Sequence, residues 1–398
     1  MNMRRTLSSI ILTIFAVGLF ASSAQAQRGP VPRPQPTPAT EDDERVFTEE
    51  VRIPVFAYDE KGRFDPTLEI DDVLVVEDDV PQQVKSVRRI PASVLLVVGT
   101  GSELNPAVRL QTTRAIAANV VANLREGDAV AVLQFNNRAE VVQDWTTDRE
   151  QVTRTIKSKV SFGRGSRLSQ ALIRAAALLE TQPVGNRHLV LVTDGVEAPG
   201  KFDPQEAMLR VGIDTPETKA QAAEALRRLT AAQATIHIIS YATVGRKVMK
   251  ERERPKEAPG IAQSRADIAT IGIDPTRPPG MGSAGIHPPP VNTGMRVDPA
   301  LRKQNKAYER ALKKGEERLK ALAEETGGWL LLPSSDEEMV AKGAEVAREV
   351  GAQYVVTYRP KRPLATSSAT EYRRIRVSPR RIGLQLRARR GYVVGAMQ

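Results

Sequence analysis

The fold is decided by residues 93–103, which read SVLLVVGTGSE. A run of apolar residues without polar alternation, here Val94 to Val98, is typical of a strand that is buried on both faces of a sheet. Similar runs follow at 128–135, 188–193 and 235–241, with helical periodicity between them. This alternation predicts an α/β fold with a doubly wound, mainly parallel sheet that is covered by helices on both faces.

The composition excludes several classes of functional site. The chain has 398 residues and no cysteine, so disulfides, thiolate nucleophiles and cysteine-ligated metals are excluded. Its three histidines, His188, His237 and His287, include no pair at i, i+4 spacing, which argues against a histidine metal site. The sequence has neither a G-x-S-x-G nor a Walker motif, so nothing points to a serine hydrolase or a P-loop nucleotide site. His237 lies within a predicted strand and is interpreted as a structural residue with a local hydrogen bond.

The first residues have the pattern of an export signal. A basic start and an apolar stretch precede an A-Q-A sequence ending at Ala26, which predicts a cleaved signal peptide over 1–26. The apolar stretch is shorter than the roughly 20 residues that span a bilayer, so no transmembrane span is expected. Residues 27–45 are proline-rich and are predicted to form a linker. Export without cysteine favours a bacterial protein that is periplasmic or extracellular.

Two β-rich segments of opposite charge flank the predicted α/β domain. Short β-type runs over 46–90 predict an N-terminal β segment, and 359–398 predict a C-terminal β hairpin. Residues 41–80 carry fifteen acidic and four basic side chains, whereas 359–390 carry eleven basic and one acidic. Because opposite charges favour strand pairing, we expect the flanks to pair as one small β domain. The basic residues that give the net charge of +11 then mainly face acidic residues of the same chain, so no nucleic-acid partner is predicted.

A long segment interrupts the α/β pattern. Residues 255–299 contain nine prolines and six glycines and show no hydrophobic period. Because such a composition does not support a packed core, 244–303 is predicted to be a disordered insertion within an α/β domain that spans 91–358.

Four motifs resemble those of the von Willebrand factor A-type (vWA) domain, which has a Rossmann-like fold. In that family the first buried strand ends in Asp-x-Ser-x-Ser, a Gly-Asp junction precedes an apolar strand, Gly-Thr-x-Leu opens a helix, and a later strand ends in Thr-Asp-Gly. The corresponding segments here are 94–103, 127–135, 165–168 and 190–195. The flanks resemble those of secreted bacterial VWFA-related proteins at 59–62, 75–78, 354–358 and 387–392. The resemblance implies a vWA domain set between the two flanks and a role in adhesion or protein binding.

The resemblance also implies a metal-ion-dependent adhesion site, but this chain departs from its motif. In the family that site lies at the carboxyl ends of the strands and holds a divalent cation such as Mg²⁺, which captures a partner's carboxylate. Gly99 and Gly101 stand where the family has its first Asp and first Ser, and glycine has no side-chain oxygen. The remaining candidate ligands, Glu103, Ser166 and Asp194, make at most a weak site. The adhesion site is therefore predicted to be degenerate, and no cofactor is expected.

The sequence therefore predicts an exported, non-enzymatic binding or scaffold protein with an unidentified protein partner. The predicted partner-binding rim consists of Ser102, Glu103, Ser166 and Asp194. Two alternatives stand beside this prediction. One is a hydrolase or processing enzyme of the cell envelope, and the other is a polyanion binder that uses the basic C-terminus.

Overall fold

The computed structural model describes residues 49–101, 110–198, 215–253 and 299–394, apart from 365 and 369. The signal peptide predicted for 1–26 and the linker predicted for 27–45 lie outside these residues, as do Ser102 and Glu103. In this described part of the chain, no helix is long and apolar enough to cross a membrane.

The described residues form fourteen strands and seven α-helices. In chain order the strands are β1 (Val51–Tyr58), β2 (Val73–Glu77), β3 (Val80–Gln82), β4 (Val84–Arg88), β5 (Ser93–Gly99), β6 (Ala129–Phe135), β7 (Ala139–Thr146), β8 (Arg187–Thr193), β9 (Thr235–Ser240), β10 (Leu330–Leu331), β11 (Gln353–Tyr358), β12 (Tyr372–Pro379), β13 (Gln385–Ala388) and β14 (Gly391–Val393). The helices are α1 (Leu110–Asn123), α2 (Arg149–Lys159), α3 (Leu168–Glu180), α4 (Pro216–Ala231), α5 (Ala242–Glu253), α6 (Pro299–Thr326) and α7 (Asp336–Gly351).

The centre of the fold is a six-stranded sheet in the order β10-β9-β8-β5-β6-β7. All neighbouring strands are parallel except β6 and β7, which are antiparallel. Every residue of β5 and β8 is buried, as expected for strands that are covered on both faces. The mainly parallel α/β sheet predicted from the sequence is confirmed.

Helices cover both faces of the central sheet. On one face α1, α2 and α7 pack against the strands through a core in which Ile116 and Met339 are fully buried. On the other face α3, α4 and α6 pack through residues such as Leu172, Leu229 and Leu319. The two cores hold the sheet between helical layers, so the ends of its strands are the places left for a site.

The flanking segments form two four-stranded antiparallel sheets. Their orders are β13-β1-β11-β4 and β14-β12-β2-β3. In the second sheet β2 from the acidic N-terminal flank pairs with β12 from the basic C-terminal flank over five residue pairs. The predicted adjacency of oppositely charged strands is therefore confirmed, although the flanks make two sheets.

A buried ion pair lies at the centre of this charge match. Nη1 of Arg373 in β12 lies 2.8 Å from Oε1 of Glu77 in β2, and both side chains are almost completely buried. The second oxygen of Glu77 accepts hydrogen bonds from the hydroxyls of Tyr358, at 2.5 Å, and Tyr392, at 2.9 Å. Because the carboxylate is fully hydrogen-bonded, its burial is tolerated. More exposed ion pairs between the two flanks are Arg362–Asp78, Arg374–Asp79 and Arg381–Asp65.

Strand β11 lies in a different sheet from the one expected. It is predicted within the α/β domain of 91–358, but it pairs with β1 and β4 in a flanking sheet. The physical reason is that Tyr354, Val356 and Tyr358 share a core with the apolar residues of β1. An apolar run fits either sheet, and the partner strand decides between them.

The insertion predicted over 244–303 is shorter at both ends in the structure. Helix α5 reaches Glu253 and α6 begins at Pro299. These two helices pack through Met249, Tyr308 and Leu312, an apolar contact that the local composition does not reveal. Residues 254–298, which hold the rest of the predicted insertion, lie outside the described residues.

A buried polar cluster lies at the amino-terminal edge of the central sheet, beside the flanking sheet. The rings of His188 and His237 stack, with Nδ1 of the first 3.3 Å from Nε2 of the second. The other nitrogen of His188 lies 2.8 Å from Oδ1 of Asn186, which also accepts from Gln353 Nε2 at 2.6 Å. Because both rings are completely buried, desolvation lowers the pKa of His188 to about 3 and that of His237 well below its usual value.

Candidate functional site

Ser166 and Asp194, the predicted rim residues that the structure describes, lie at the edge of the central sheet where the parallel strands end. We call this edge, formed by the carboxyl ends of β5, β6, β8 and β9, the loops that follow them and the loop before α3, the rim. Gly99 is the last residue of β5, Ser166 precedes α3, and Asp194 directly follows β8. Parallel strands bring their carboxyl ends to one edge, which explains why residues so far apart in sequence meet here.

Gly101 packs directly against the loop that precedes α3. It forms an isolated parallel bridge with Gly163, whose N–H donates to the Thr100 carbonyl at 3.2 Å. A Cβ atom at Gly101 would lie 1.6 Å from the carbonyl oxygen of Gly165. A Cβ atom at Gly163 would lie 2.1 Å from Nδ2 of Asn136. The position where the vWA motif has its first serine therefore has no room for any side chain.

Hydrogen bonds fix the loops of the rim in this close arrangement. The Thr100 N–H donates to the Phe135 carbonyl at 2.9 Å, which continues the pairing of β5 with β6 past the end of β5. The carbonyl of Asn136 accepts from the Arg167 N–H at 2.8 Å, which ties the end of β6 to the start of α3. At Gly99 a Cβ atom would lie 3.0 Å from the Phe135 ring, so this position is also tightly packed.

A residue from a distant helix holds Asp194. Its Oδ2 accepts a hydrogen bond from the Tyr308 hydroxyl at 2.5 Å, and its Oδ1 accepts from the Val196 N–H at 3.0 Å. Asp194 is 9% exposed and Tyr308 is 4% exposed. Helix α6 can come this close because Gly315 has no side chain. A Cβ atom at this position would lie only 2.5 Å from the Gly195 carbonyl oxygen. A hydroxyl of the protein itself therefore contacts the aspartate that the vWA motif places at its cation site.

Ser166 is also buried, and its backbone is paired. Its N–H donates to the Ala198 carbonyl at 2.5 Å, and its carbonyl accepts from the Ala198 N–H at 2.8 Å. Next to this bridge, a carboxylate oxygen of Glu197 accepts from the N–H and the hydroxyl of Ser169 at 3.0 and 3.1 Å. Burial raises the pKa of Glu197. This carboxylate, which sequence reasoning missed, thus binds the first turn of α3.

The described residues do not assemble the donor set of the family's cation site. Gly99 and Gly101 supply no side-chain oxygen, and Ser166 and Asp194 are buried within the protein's own contacts. In the part of the chain that the structure describes, no group of three or more His, Asp or Glu side chains is placed to hold a metal ion. The described side chains of the rim therefore supply fewer oxygen ligands than the near-octahedral coordination of Mg²⁺ requires.

Sequence reasoning also missed Tyr308. It follows Asp194 by 114 positions and lies beyond the proline- and glycine-rich segment. None of the vWA motifs quoted above includes it. The one available signal is the apolar stripe at helical spacing formed by Tyr308, Ala311, Leu312, Gly315 and Leu319. That stripe predicts a buried helix face without indicating what the face covers.

The central domain contains the part of the chain that matches a known protein family. A family model described as von Willebrand factor type A domain matches residues 94–197. No curated protein matches the chain in sequence.

Among solved structures, the chain is similar to several bacterial proteins. The vWF domain of the type V pili tip protein Mfa5 from Porphyromonas gingivalis is 20% identical over 28% of this chain and 40% of that chain, with a TM-score of 0.26. A von Willebrand factor type A protein from Catenulispora acidiphila is 10% identical over 81% and 73%, with a TM-score of 0.40. The PilB minor pilin from Streptococcus sanguinis is 11% identical over 67% and 62%, with a TM-score of 0.38. The chain thus covers less than half of the length of the pilus tip structure.

The segment matched by the family model contains most of the rim. It begins in β5, includes Gly99, Gly101 and Ser166, and ends three residues after Asp194. Strand β5 within it pairs in parallel with β6 on one side and β8 on the other, and α1 and α3 lie on opposite faces of the sheet. On the sequence match, the chain contains a von Willebrand factor type A domain segment over residues 94–197.

Proposed function

We propose that this chain is an exported, non-enzymatic protein that binds a protein partner through the rim without a divalent cation. The observation that carries the proposal is the contact between Gly101 and Gly165, which leaves no room for the first serine ligand of the motif. The hydrogen bond from Tyr308 to Asp194 supports it, because it engages the aspartate of the motif within the protein. Export rests on the signal peptide expected over 1–26.

The exposed part of the proposed rim lies beside the buried glycine contact. Phe162, directly before Gly163, is 55% exposed, which is unusual for a large aromatic side chain. Arg164 on the other side of Gly163 is exposed as well. Ser166 and Asp194 are too buried to form much of a contact surface, so in this proposal they shape the rim while neighbouring residues meet the partner. Ser102 and Glu103 stay in the proposed rim on the sequence motif alone.

The geometry gives less support to the alternatives. A hydrolase would need an accessible base, but His188 and His237 are completely buried at the opposite edge of the sheet. A polyanion binder would use the cations of the C-terminal flank, and three of these, Arg373, Arg381 and Arg387, are already engaged by Glu77, Asp65 and Glu349 respectively. A partner-binding vWA domain is the function that requires neither.

Site-specific crosslinking tests this function. A photoreactive phenylalanine analogue is placed at Phe162, and a matched control carries it at Ile382, which is 98% exposed in the C-terminal flank. After incubation with an envelope extract, we expect a discrete crosslinked protein from position 162 and none from 382, in equal yield with Mg²⁺ and with EDTA. Identical adducts from both positions would count against a rim partner. Loss of the adduct in EDTA would show that the partner needs a cation.

A further inference from the structure

Helix α6 extends beyond the rim. It has 28 residues, which corresponds to about 42 Å at 1.5 Å per residue. Near its carboxyl end, Thr326 Oγ1 accepts from the Ile236 N–H at 3.2 Å, at the start of β9. Tyr308 contacts Asp194 at the other end of the sheet. Residues 299–307, which precede Tyr308, therefore continue for about 13 Å past that contact.

The amino-terminal half of α6 carries a row of exposed cations. We call this row the basic face: it consists of Arg302, Lys303, Lys306, Arg310 and Lys313, all of which are exposed. At 100° per residue these five positions fall within an arc of about 100° on the side of the helix opposite Tyr308. The contact to Asp194 thus fixes the orientation of the helix and turns the basic face to solvent.

The cations of the basic face lack acidic partners among the described residues. Ion pairs of α6 with described residues lie further along the helix, for example at Glu316, Lys320 and Glu324. Within the basic face the side-chain hydrogen bond present runs from Arg310 Nε to the Lys306 carbonyl at 3.2 Å. Glu309 is the one acidic residue between 302 and 313. A net charge of +4 over three turns of helix therefore stands beside the rim without compensation from described residues.

We propose that the basic face is a docking surface for an extended acidic segment of a protein partner. This inference rests on the proposed function and names the chemistry of its partner. In the adhesion site implied by the resemblance, a cation attracts a partner's carboxylate. Here no cation fits the described rim, and the fixed positive charges of α6 supply the attraction beside it.

The shape of the basic face favours a peptide over other anions. Cations at i, i+4 on a helix are about 6 Å apart along its axis, and alternate residues of an extended chain are about 6.6 Å apart on one side. An acidic residue at every second position therefore matches this row. Insertion into a membrane would need exposed apolar residues, but Tyr308, Leu312 and Leu319 face the protein core.

Binding to synthetic peptides tests the proposal on the full chain. The probe is a fluorescently labelled ten-residue peptide of alternating Glu and Ser, measured by anisotropy at low ionic strength. It is compared with a peptide of the same composition that has five Glu followed by five Ser. We expect the alternating peptide to bind at least about threefold more tightly, and its binding to weaken with salt because the contacts are solvent-exposed ion pairs.

Two variants with the same change in net charge separate the basic face from general electrostatics. The test variant replaces Lys303, Lys306, Arg310 and Lys313 by Gln, and the control replaces Arg88, Lys219, Arg348 and Arg376, which are exposed cations elsewhere. Because the small contributions of four exposed ion pairs add, we expect the test variant to bind about tenfold or more weakly and the control less than about threefold. Equal losses in both variants overturn the proposal.

Other outcomes are also decisive. Absence of peptide binding overturns the proposal, as does binding through the basic face to heparin or to vesicles with anionic lipid in place of the peptide. If the test variant still crosslinks its partner normally from position 162, the proposed function stands and the docking role of α6 fails. If the wild-type chain crosslinks no partner, the proposed function itself fails.

Discussion

Replacement of Tyr308 by phenylalanine tests whether its hydroxyl fastens α6 to the rim. The substitution removes one hydroxyl and leaves the ring, so the apolar packing of the helix is retained. With Asp194 only 9% exposed, water cannot easily replace the lost donor to its Oδ2. A hydrogen bond to a charged group contributes about 1.5–3 kcal/mol. We expect Tyr308→Phe to lower the free energy of unfolding by about 2 kcal/mol, measured by urea denaturation followed by circular dichroism.

Tyr354→Phe is the matched control for this measurement. The Tyr354 hydroxyl donates to the backbone carbonyl of Asp65 at 3.0 Å, a neutral acceptor, so its removal should cost about 0.5–1.5 kcal/mol. A double-mutant cycle with Tyr308→Phe and Asp194→Asn should give a coupling free energy above about 1 kcal/mol. The reasoning is refuted if Tyr308→Phe costs no more than the control, or if the cycle shows no coupling.

Three further perturbations follow from the packing and electrostatics. Gly101→Ser should lower the free energy of unfolding by about 3 kcal/mol or more, because the side chain overpacks the loop contact. Mg²⁺ should not stabilise this variant, and a rise in its Tm on adding Mg²⁺ would contradict the prediction. Burial lowers the pKa of His188 to about 3 in the folded protein, below its unfolded value. As the pH falls, the unfolded chain therefore takes up a proton that the folded protein does not. We expect His188 to lower the free energy of unfolding by about 2 kcal/mol between pH 7 and pH 5. A free energy of unfolding, measured by urea denaturation, that stays constant between pH 7 and pH 5 would contradict this prediction. Arg373→Met should lower the free energy of unfolding by about 3–5 kcal/mol, because it leaves the buried Glu77 carboxylate without its counter-charge. The double variant with Glu77→Leu should recover most of this loss. An equal loss in the double variant would argue against the ion-pair explanation.

The central sheet was predictable because its strands carry their own signal. The apolar runs of β5 and β8 indicate burial on both faces, and the residues between them have helical spacing. Strand β11 has a similar apolar run, yet it belongs to a flanking sheet. Its position depends on pairing with β1, where Tyr358 lies opposite Val51, about 300 residues away in sequence. Local pattern identifies a strand of this kind but does not select its partner.

The site was predictable in place but not in detail. The vWA motifs locate Gly99, Gly101 and Asp194 at the strand ends, because parallel strands end at one edge. They do not show that the Gly165 carbonyl fills the space beside Gly101, since that depends on how two loops meet. The hydroxyl of Tyr308 was out of reach for the same reason, because a tertiary contact between distant elements leaves no local pattern in the chain.

If the rim binds its partner without a divalent cation, neither Mg²⁺ nor Mn²⁺ should bind tightly to the protein. The most direct measurement is isothermal titration calorimetry of the full chain with Mg²⁺ and with Mn²⁺, repeated on Asp194→Asn. We expect no site with a dissociation constant below about 1 μM for either ion, in either protein. Saturable binding to one site tighter than about 1 μM in the wild-type chain, abolished by Asp194→Asn, would contradict it.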